Sequence, residues 1–154
     1  MEIILKQLDE RFGDRIAVNP KTRKRIYISA AKRDFKEVIR FMIKEQGARM
    51  SIATAVDTQP GIEVLYHMAY DQSGLVISLR VMAEKPEPVI DSITDIIEGA
   101  EWIEREMHEM FGLGFAGHTK PERLLLPDDW PDGVYPLLKQ TFGSEKEGEE
   151  RPYR

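Results

Sequence analysis

Cysteine is absent from this chain of 154 residues. Without thiolates, the chain cannot form a disulfide bond and cannot hold an iron–sulfur cluster or a zinc ion through sulfur ligands. No apolar run reaches the roughly 18 residues that a membrane-spanning helix needs, and the N-terminus lacks the apolar stretch of a signal peptide. We therefore expect a soluble, intracellular chain, and any redox centre that it serves would lie on other chains.

Positive charge is in the minority, because 22 Lys and Arg residues face 27 Asp and Glu residues, which gives a formal net charge of -5. Proteins dedicated to nucleic acids normally carry a basic patch or stripe. One basic cluster is present, formed by Lys21, Arg23, Lys24 and Arg25. Its place between two predicted strands is typical of a solvated hairpin tip, and we expect no nucleic-acid partner.

Hydrophobic residues make up 42% of the chain, which is enough to build a core. Periodicities of 3.6 and of two residues predict two helices and five strands over residues 1–83. The helices are predicted at 1–11 and 35–46, and the strands at 15–18, 25–29, 48–57, 62–70 and 75–81. A polar turn is predicted at 19–21, and the last three strands form an antiparallel meander. The expected fold is α+β, with two layers in the order helix–strand–strand–helix–three strands.

The pattern changes at Pro86 and Pro88, which end the predicted sheet. Residues 84–111 are predicted to be a helical segment packed on the core, with a short helix at 92–97 and a longer one at 100–111. Glycine and proline then punctuate residues 112–142, which we predict to be a long extended arm that binds a partner. Residues 143–154 are acidic and poor in hydrophobic residues, as is typical of a mobile tail.

The predicted helix at 100–111 offers one candidate metal site. Glu104 and His108 are spaced i, i+4 and share a helical face, and His118 follows ten residues later. Carboxylate and imidazole groups suit zinc or iron. The alternative is a charged helix with an ion pair between Glu101 and Arg105 and a buried stripe of Ile103, Met107, Met110 and Phe111. No nucleophile motif and no dinucleotide fingerprint is present.

The same part of the chain is rich in residues that dominate protein interfaces, namely large aromatic residues and arginine. An apolar run at 124–126 lies outside any periodic element, so it needs another surface to cover it. We predict that partner-binding residues are Trp102, Glu104, Arg105, Glu106, Phe111, Phe115, His118, Arg123, Leu124, Leu125, Asp128, Asp129, Trp130, Tyr135 and Lys139.

Four motifs in this region give the sequence a resemblance to a known family. They are W-I-E-R-E at 102–106, F-G-L-G-F at 111–115, G-H at 117–118 and R-L-L-L-P-D-D-W at 123–130. Together, over residues 92–139, they resemble the signature of the 30 kDa subunit family of respiratory complex I. Glu109 stands where that family usually has Asp, and Glu122 replaces the first of two arginines. These departures look more like the related subunits of energy-converting membrane-bound [NiFe] hydrogenases.

The resemblance implies a non-catalytic subunit in the peripheral arm of a multisubunit oxidoreductase. Such a subunit would stabilise the large hydrogenase-like subunit and contact a small iron–sulfur subunit, while electron transfer is coupled to ion translocation. It would hold no cofactor, because iron–sulfur clusters and a NiFe centre belong to the partners. It would lie on the cytoplasmic side of the membrane, attached to the membrane arm through other subunits. An NADH:quinone oxidoreductase or a sulfur-reducing complex remains an alternative.

Two further hypotheses remain open from the residues alone. One is a stand-alone metal-dependent enzyme that uses Glu104, His108 and His118. The other is a binding module that recognises a peptide at an exposed sheet edge.

Overall fold

The computed structural model describes residues 1–120 and 122–139. Its helices are α1 (Glu2–Phe12), α2 (Phe35–Arg40) and α3 (Ala100–Phe111), and α2 continues as a π-helical turn over Phe41–Glu45. Its strands are β1 (Ile16–Thr22), β2 (Arg25–Ala30), β3 (Arg49–Asp57), β4 (Gly61–Tyr70), β5 (Leu75–Glu84), β6 (Val89–Asp91) and β7 (Gly114–Ala116). The predicted α+β class and its element order are confirmed.

Five strands form the main sheet in the order β1-β2-β5-β4-β3. β3, β4 and β5 form the predicted antiparallel meander, and β1 pairs antiparallel with β2. β2 lies parallel to β5, so α2 and the first two meander strands form the connection between them. A small parallel pair, β6 with β7, joins the helical segment to the arm.

The helices cover one face of this sheet. Ile62, Val64, Tyr66 and Met68 of β4 alternate with less buried residues and are at most 1% exposed. The Tyr66 ring stacks on Phe35 of α2, with 5.9 Å between the ring centroids. Burying such side chains stabilises the fold by about 1.5–3 kcal/mol each. The opposite face of the sheet carries no helix among the described elements.

Two local predictions were wrong. The first turn lies at Arg23–Lys24 and not at 19–21, so Pro20 falls within β1. β1 is an edge strand, where the missing N–H of a proline is tolerated. Residues 92–97 form a turn and no helix, because the Oγ of Ser92 accepts the backbone N–H of Thr94 at 3.2 Å. A serine that binds nearby backbone in this way competes with helix formation.

Other predictions fall partly or wholly beyond what the structure describes. The arm prediction extends to residue 142, of which the structure describes 112–120 and 122–139, and the predicted tail at 143–154 lies outside the described residues. In the described part of the chain, no helix is both long enough and apolar enough to span a membrane.

Two glycines offer a matched test of strand packing. A Cβ on Gly61 would lie 2.3 Å from the carbonyl oxygen of Ala83, whereas a Cβ on Gly99 would have no neighbour closer than 3.9 Å. We expect Gly61→Ala to lower the free energy of unfolding by about 1–3 kcal/mol, because backbone must move. Gly99→Ala should leave it unchanged or raise it by about 0.5 kcal/mol. Urea denaturation measures both, and equal stabilities would contradict the packing at Gly61.

Candidate partner-binding site on helix α3 and the arm

Helix α3 carries the side chains that shape this site. It ends at Gly112, which adopts a left-handed conformation (φ 68°) and donates its N–H to the carbonyl of His108 at 2.8 Å. Its buried residues are Ala100, Glu104, Met107 and Glu109. Of the stripe predicted from the sequence, Met107 is buried and the other three residues are half-buried. Two carboxylates, those of Glu104 and Glu109, are therefore buried outside the stripe that periodicity predicted.

The arm runs along α3 in the same direction as the helix, and three α3 residues bind it in turn. The ring of His118 lies 3.2 Å from the carbonyl oxygen of Glu101. One turn further, the Arg105 guanidinium donates to the carbonyl oxygens of Glu122 and Arg123, at 2.9 and 2.6 Å. Another turn further, the Glu109 carboxylate binds residues 124–126. The predicted ion pair between Glu101 and Arg105 does not form.

Glu109 makes the most concentrated of these contacts. Its two oxygens accept the consecutive backbone N–H groups of Leu124, Leu125 and Leu126, at 3.1, 2.7 and 3.2 Å. Successive N–H groups that converge on one anion form a binding nest, and hydrogen bonds to a charged acceptor are stronger than neutral ones. The carboxylate thus fixes the backbone of the apolar run at 124–126.

Within the arm, two predicted interface residues stabilise a loop of their own. Arg123 donates to the carbonyl oxygens of Pro127 and Asp128, and to the Asp132 carboxylate at 2.7 Å. The Nε1–H of Trp130 donates to the carbonyl oxygen of Val134 at 2.8 Å. These bonds supply partners to backbone carbonyls that lie outside any strand or helix.

The C-terminal part of the arm returns to the core at two points. Leu137 donates its N–H to the carbonyl of Met110 at 3.0 Å, and Lys139 donates its N–H to the Asp57 carboxylate at 3.0 Å. Lys85 donates to the same carboxylate at 2.6 Å. Burial acts to raise the pKa of Asp57, but the bonds from Lys85 and Lys139 outweigh it and lower that pKa. A buried carboxylate at the end of β3 therefore anchors the arm.

Glu104 lies one turn into α3 and is only 1% exposed. One of its oxygens accepts the N–H of Ile93 at 2.8 Å, and the other has no hydrogen-bond partner in the described part of the chain. That second oxygen is 3.9 Å from the Nε2 of His118. Burial raises the pKa of Glu104, although the bond from Ile93 opposes the shift. Burial, together with the charge of Glu104, also raises the pKa of Tyr66.

The candidate metal ligands do not converge. The Nδ1 of His108 lies 3.0 Å from the carbonyl oxygen of Leu113, whereas His118 lies beside Glu104. Across residues 1–120 and 122–139, no group of three or more His, Cys, Asp or Glu side chains is arranged to hold a metal ion. The structure therefore does not bring Glu104, His108 and His118 together as a ligand set.

The residues predicted to bind a partner divide into those that bind this chain or are half-buried and those that are exposed. Glu104, Arg105, His118 and Arg123 bind other parts of this chain, and the side chains of Phe111, Phe115, Leu124, Trp130 and Tyr135 are half-buried. Trp102 and Leu125 are 64% and 61% exposed. The remaining predicted residues, all of them exposed, are Glu106, Asp128, Asp129 and Lys139.

Sequence reasoning missed three residues of this site. They are Glu109 and Asp57, which bind the arm, and Leu137, which is 53% exposed on it. One signal could have identified Glu109, because it follows Arg105 at i, i+4 and so lies on the same helical face. No local pattern points to Asp57, whose contact with Lys139 spans 82 residues.

The fold and the site define a two-layer α+β domain. Hydrogen bonds hold its partly apolar arm against helix α3. The chain belongs to the family of the 30 kDa subunit of respiratory-chain NADH dehydrogenase, which it matches over residues 28–147.

Individual relatives agree with this assignment. The chain is 31% identical to the membrane-bound hydrogenase subunit beta of Pyrococcus furiosus, over 95% of this chain and 88% of that protein. It is also 31% identical to an NADH-quinone oxidoreductase subunit of Chloroherpeton thalassium, over 90% of this chain but 59% of that protein. A chain in the solved structure of an archaeal membrane-bound sulfane sulfur reductase has the same fold, with a TM-score of 0.79 and 23% identity over 99% of this chain and 97% of that one.

Removing the Glu109 carboxylate should release the arm. We expect Glu109→Ala to destabilise the segment at 124–126 by about 3 kcal/mol, because three partly buried N–H groups lose a charged acceptor. Amide hydrogen exchange of Leu124–Leu126 measures the effect. Glu106→Ala is the control, since Glu106 is exposed on the same helix and its side chain forms no hydrogen bond or ion pair with the described residues. Unchanged protection in the Glu109 variant would show that its carboxylate does not hold the arm.

Glu104 should make stability depend on pH. Its pKa is raised in the folded state above the ordinary value of 4.5, so folding favours its protonated form. The stability of the native sequence therefore decreases as the pH rises through that raised pKa, and Glu104→Gln abolishes this decrease. We expect the free energy of unfolding of the variant, relative to the native sequence, to increase from about pH 4 to about pH 7. A difference that stays constant in urea denaturation at both pH values would contradict the assignment.

Proposed function

We propose that this chain is a non-catalytic subunit of a complex I-related membrane oxidoreductase of the membrane-bound hydrogenase type. Its role is to bind and stabilise the large hydrogenase-like subunit through α3 and the arm. Family membership supports the class of complex. The hydrogenase type is favoured because the similarity to the hydrogenase subunit extends over 95% of this chain, and because Glu109 and Glu122 depart from the complex I pattern. A quinone-reducing or sulfur-reducing complex of the same class is the alternative.

The arm exposes apolar side chains on a backbone that is held in place. Leu125 and Leu137 are more than half exposed, although their backbone N–H groups are bound to Glu109 and Met110. Trp102 projects from the helix to which the arm is bound and is 64% exposed. Apolar side chains on a fixed backbone lose little conformational entropy when a partner covers them. Such preorganised anchors are typical of interface hot spots, and this observation carries the proposed role.

The remaining assignments follow from this role. Iron–sulfur clusters and a NiFe centre would reside on partner subunits, with the small iron–sulfur subunit as a second contact. Electron transfer coupled to ion translocation would then be an activity of the whole complex. Attachment to the membrane, on its cytoplasmic side, would come through those other subunits.

The exposed apolar residues of the site should be needed for assembly. We expect Trp102→Ala and Leu125→Ala each to weaken binding of the large subunit by about 2 kcal/mol, or roughly 30-fold. Quantitative copurification from a strain that carries each variant measures the effect. Ile3→Ala is the control, because Ile3 is 75% exposed on α1, away from the arm. Copurification unchanged in both site variants would exclude this surface as the binding element.

A further inference from the structure

The face of the main sheet that carries no helix has a partly apolar surface. Strand pairing places Ile52 beside His67, His67 beside Ser78, and Ser78 beside Tyr27, so these four side chains cross the sheet in one row. Alternation along the strands adds Val56, Leu65, Val76 and Met82 to the same face. We call this surface the open face. Ile52, Val56 and Val76 are 50%, 43% and 37% exposed, so part of its apolar surface contacts water.

A cluster of positive charge borders the open face. Lys21, Arg23, Lys24 and Arg25 are all exposed at the tip of the β1–β2 hairpin. Within residues 1–120 and 122–139, none of the four forms an ion pair. Arg25 pairs in register with Val76, which places it on the open face. Burial and the charge of Arg25 together lower the pKa of His67, which lies on the same face.

The carboxylates on the open face are already paired. Glu63 binds Arg80 on the neighbouring strand, and Glu84, at the end of β5, lies 4.0 Å from the ammonium group of Lys32. The excess charge of the open face is therefore positive, in a chain with a net charge of -5. Clustered like charges repel one another. An anionic surface that covers them would supply the attraction that they do not find within this chain.

We propose that the open face and the basic hairpin form a second docking surface, which takes an acidic, partly apolar segment of another subunit. This inference assumes one part of the proposed function, namely that the chain belongs to a complex. The surface lies on the opposite side of the sheet from α3. Tyr27, Leu65 and Met82 are half-buried on this face, so a closely fitting protein surface is suited to cover the part that they leave exposed.

A second copy of this chain does not fit as the occupant. Two open faces packed against each other would both bring an excess of positive charge to the interface. Five strands of 6 to 10 residues, spaced about 4.8 Å apart and rising about 3.3 Å per residue, make a face of about 650 Å². A stable interface needs about 800 Å² on each partner. The open face therefore suits one contact within a larger assembly.

Photo-crosslinking in the purified native complex tests this inference. A benzophenone amino acid replaces Val76 on the open face, Leu125 on the arm, or Ile3 on α1 as the exposed control. We expect Val76 to cross-link to a peptide of another subunit that is rich in Asp and Glu, and Ile3 to give no such product. The product should decrease strongly at about 1 M salt, where the Debye length falls to about 3 Å.

Charge reversal supplies a second measurement. Arg23→Glu combined with Lys24→Glu should lower the Val76 cross-link about tenfold, because the attraction becomes repulsion. Lys44→Glu is the matched control, since Lys44 is exposed in the helical layer and forms no ion pair with any residue that the structure describes.

The remaining outcomes contradict the inference. A cross-link from Val76 to lipid, to a second copy or to residues 140–154 of the same chain would overturn it. A Val76 that gives no product while Leu125 cross-links to the large subunit would overturn this inference alone. Absence of both products would overturn the proposed function, and this inference with it.

Discussion

The acceptance of three consecutive backbone N–H groups by the Glu109 carboxylate is the contact on which the shape of the arm depends. Apart from the three residues of β7, the described arm has no regular hydrogen-bond ladder, yet its backbone groups still need partners. Side chains of α3 supply them: Arg105 for carbonyls and Glu109 for N–H groups. A donor and an acceptor one helical turn apart can bind both the carbonyl groups and the N–H groups of a peptide chain that runs alongside the helix.

This arrangement changes the meaning of the charged motif on α3. A sequence such as W-I-E-R-E resembles a solvated or partner-facing helix surface, and Glu104 and Arg105 were predicted to bind a partner. In the structure both residues bind this chain, Glu104 at Ile93 and Arg105 at the arm. Under the proposed function, the partner-facing role would pass to the apolar residues Trp102, Leu125 and Leu137, which are exposed. Charged side chains would then set the geometry of the surface, and apolar area would supply the binding energy.

Local patterns were sufficient for the parts of the fold that depend on local physics. Alternation predicted β4 and β5, and helical periodicity with a closing glycine predicted α2 and α3. The parallel pairing of β2 with β5 and the bond between Lys139 and Asp57 join residues far apart in sequence, and no periodicity encodes them. Glu109 was missed for a related reason: a carboxylate is assigned to solvent until its distant partners are known. Three backbone N–H groups offset the cost of removing it from water.

The distribution of charge supports two separate contact surfaces. The helix α3 and the arm carry most of the acidic groups near the proposed interface, including Glu106, Asp128 and Asp129, all exposed. The basic hairpin lies on the other edge of the sheet, since β1 and β3 are its two outer strands. Mutual attraction of these groups within one chain would have stabilised the monomer. Because the fold keeps them apart, each proposed surface retains its own sign of charge and would repel a partner with the wrong charge.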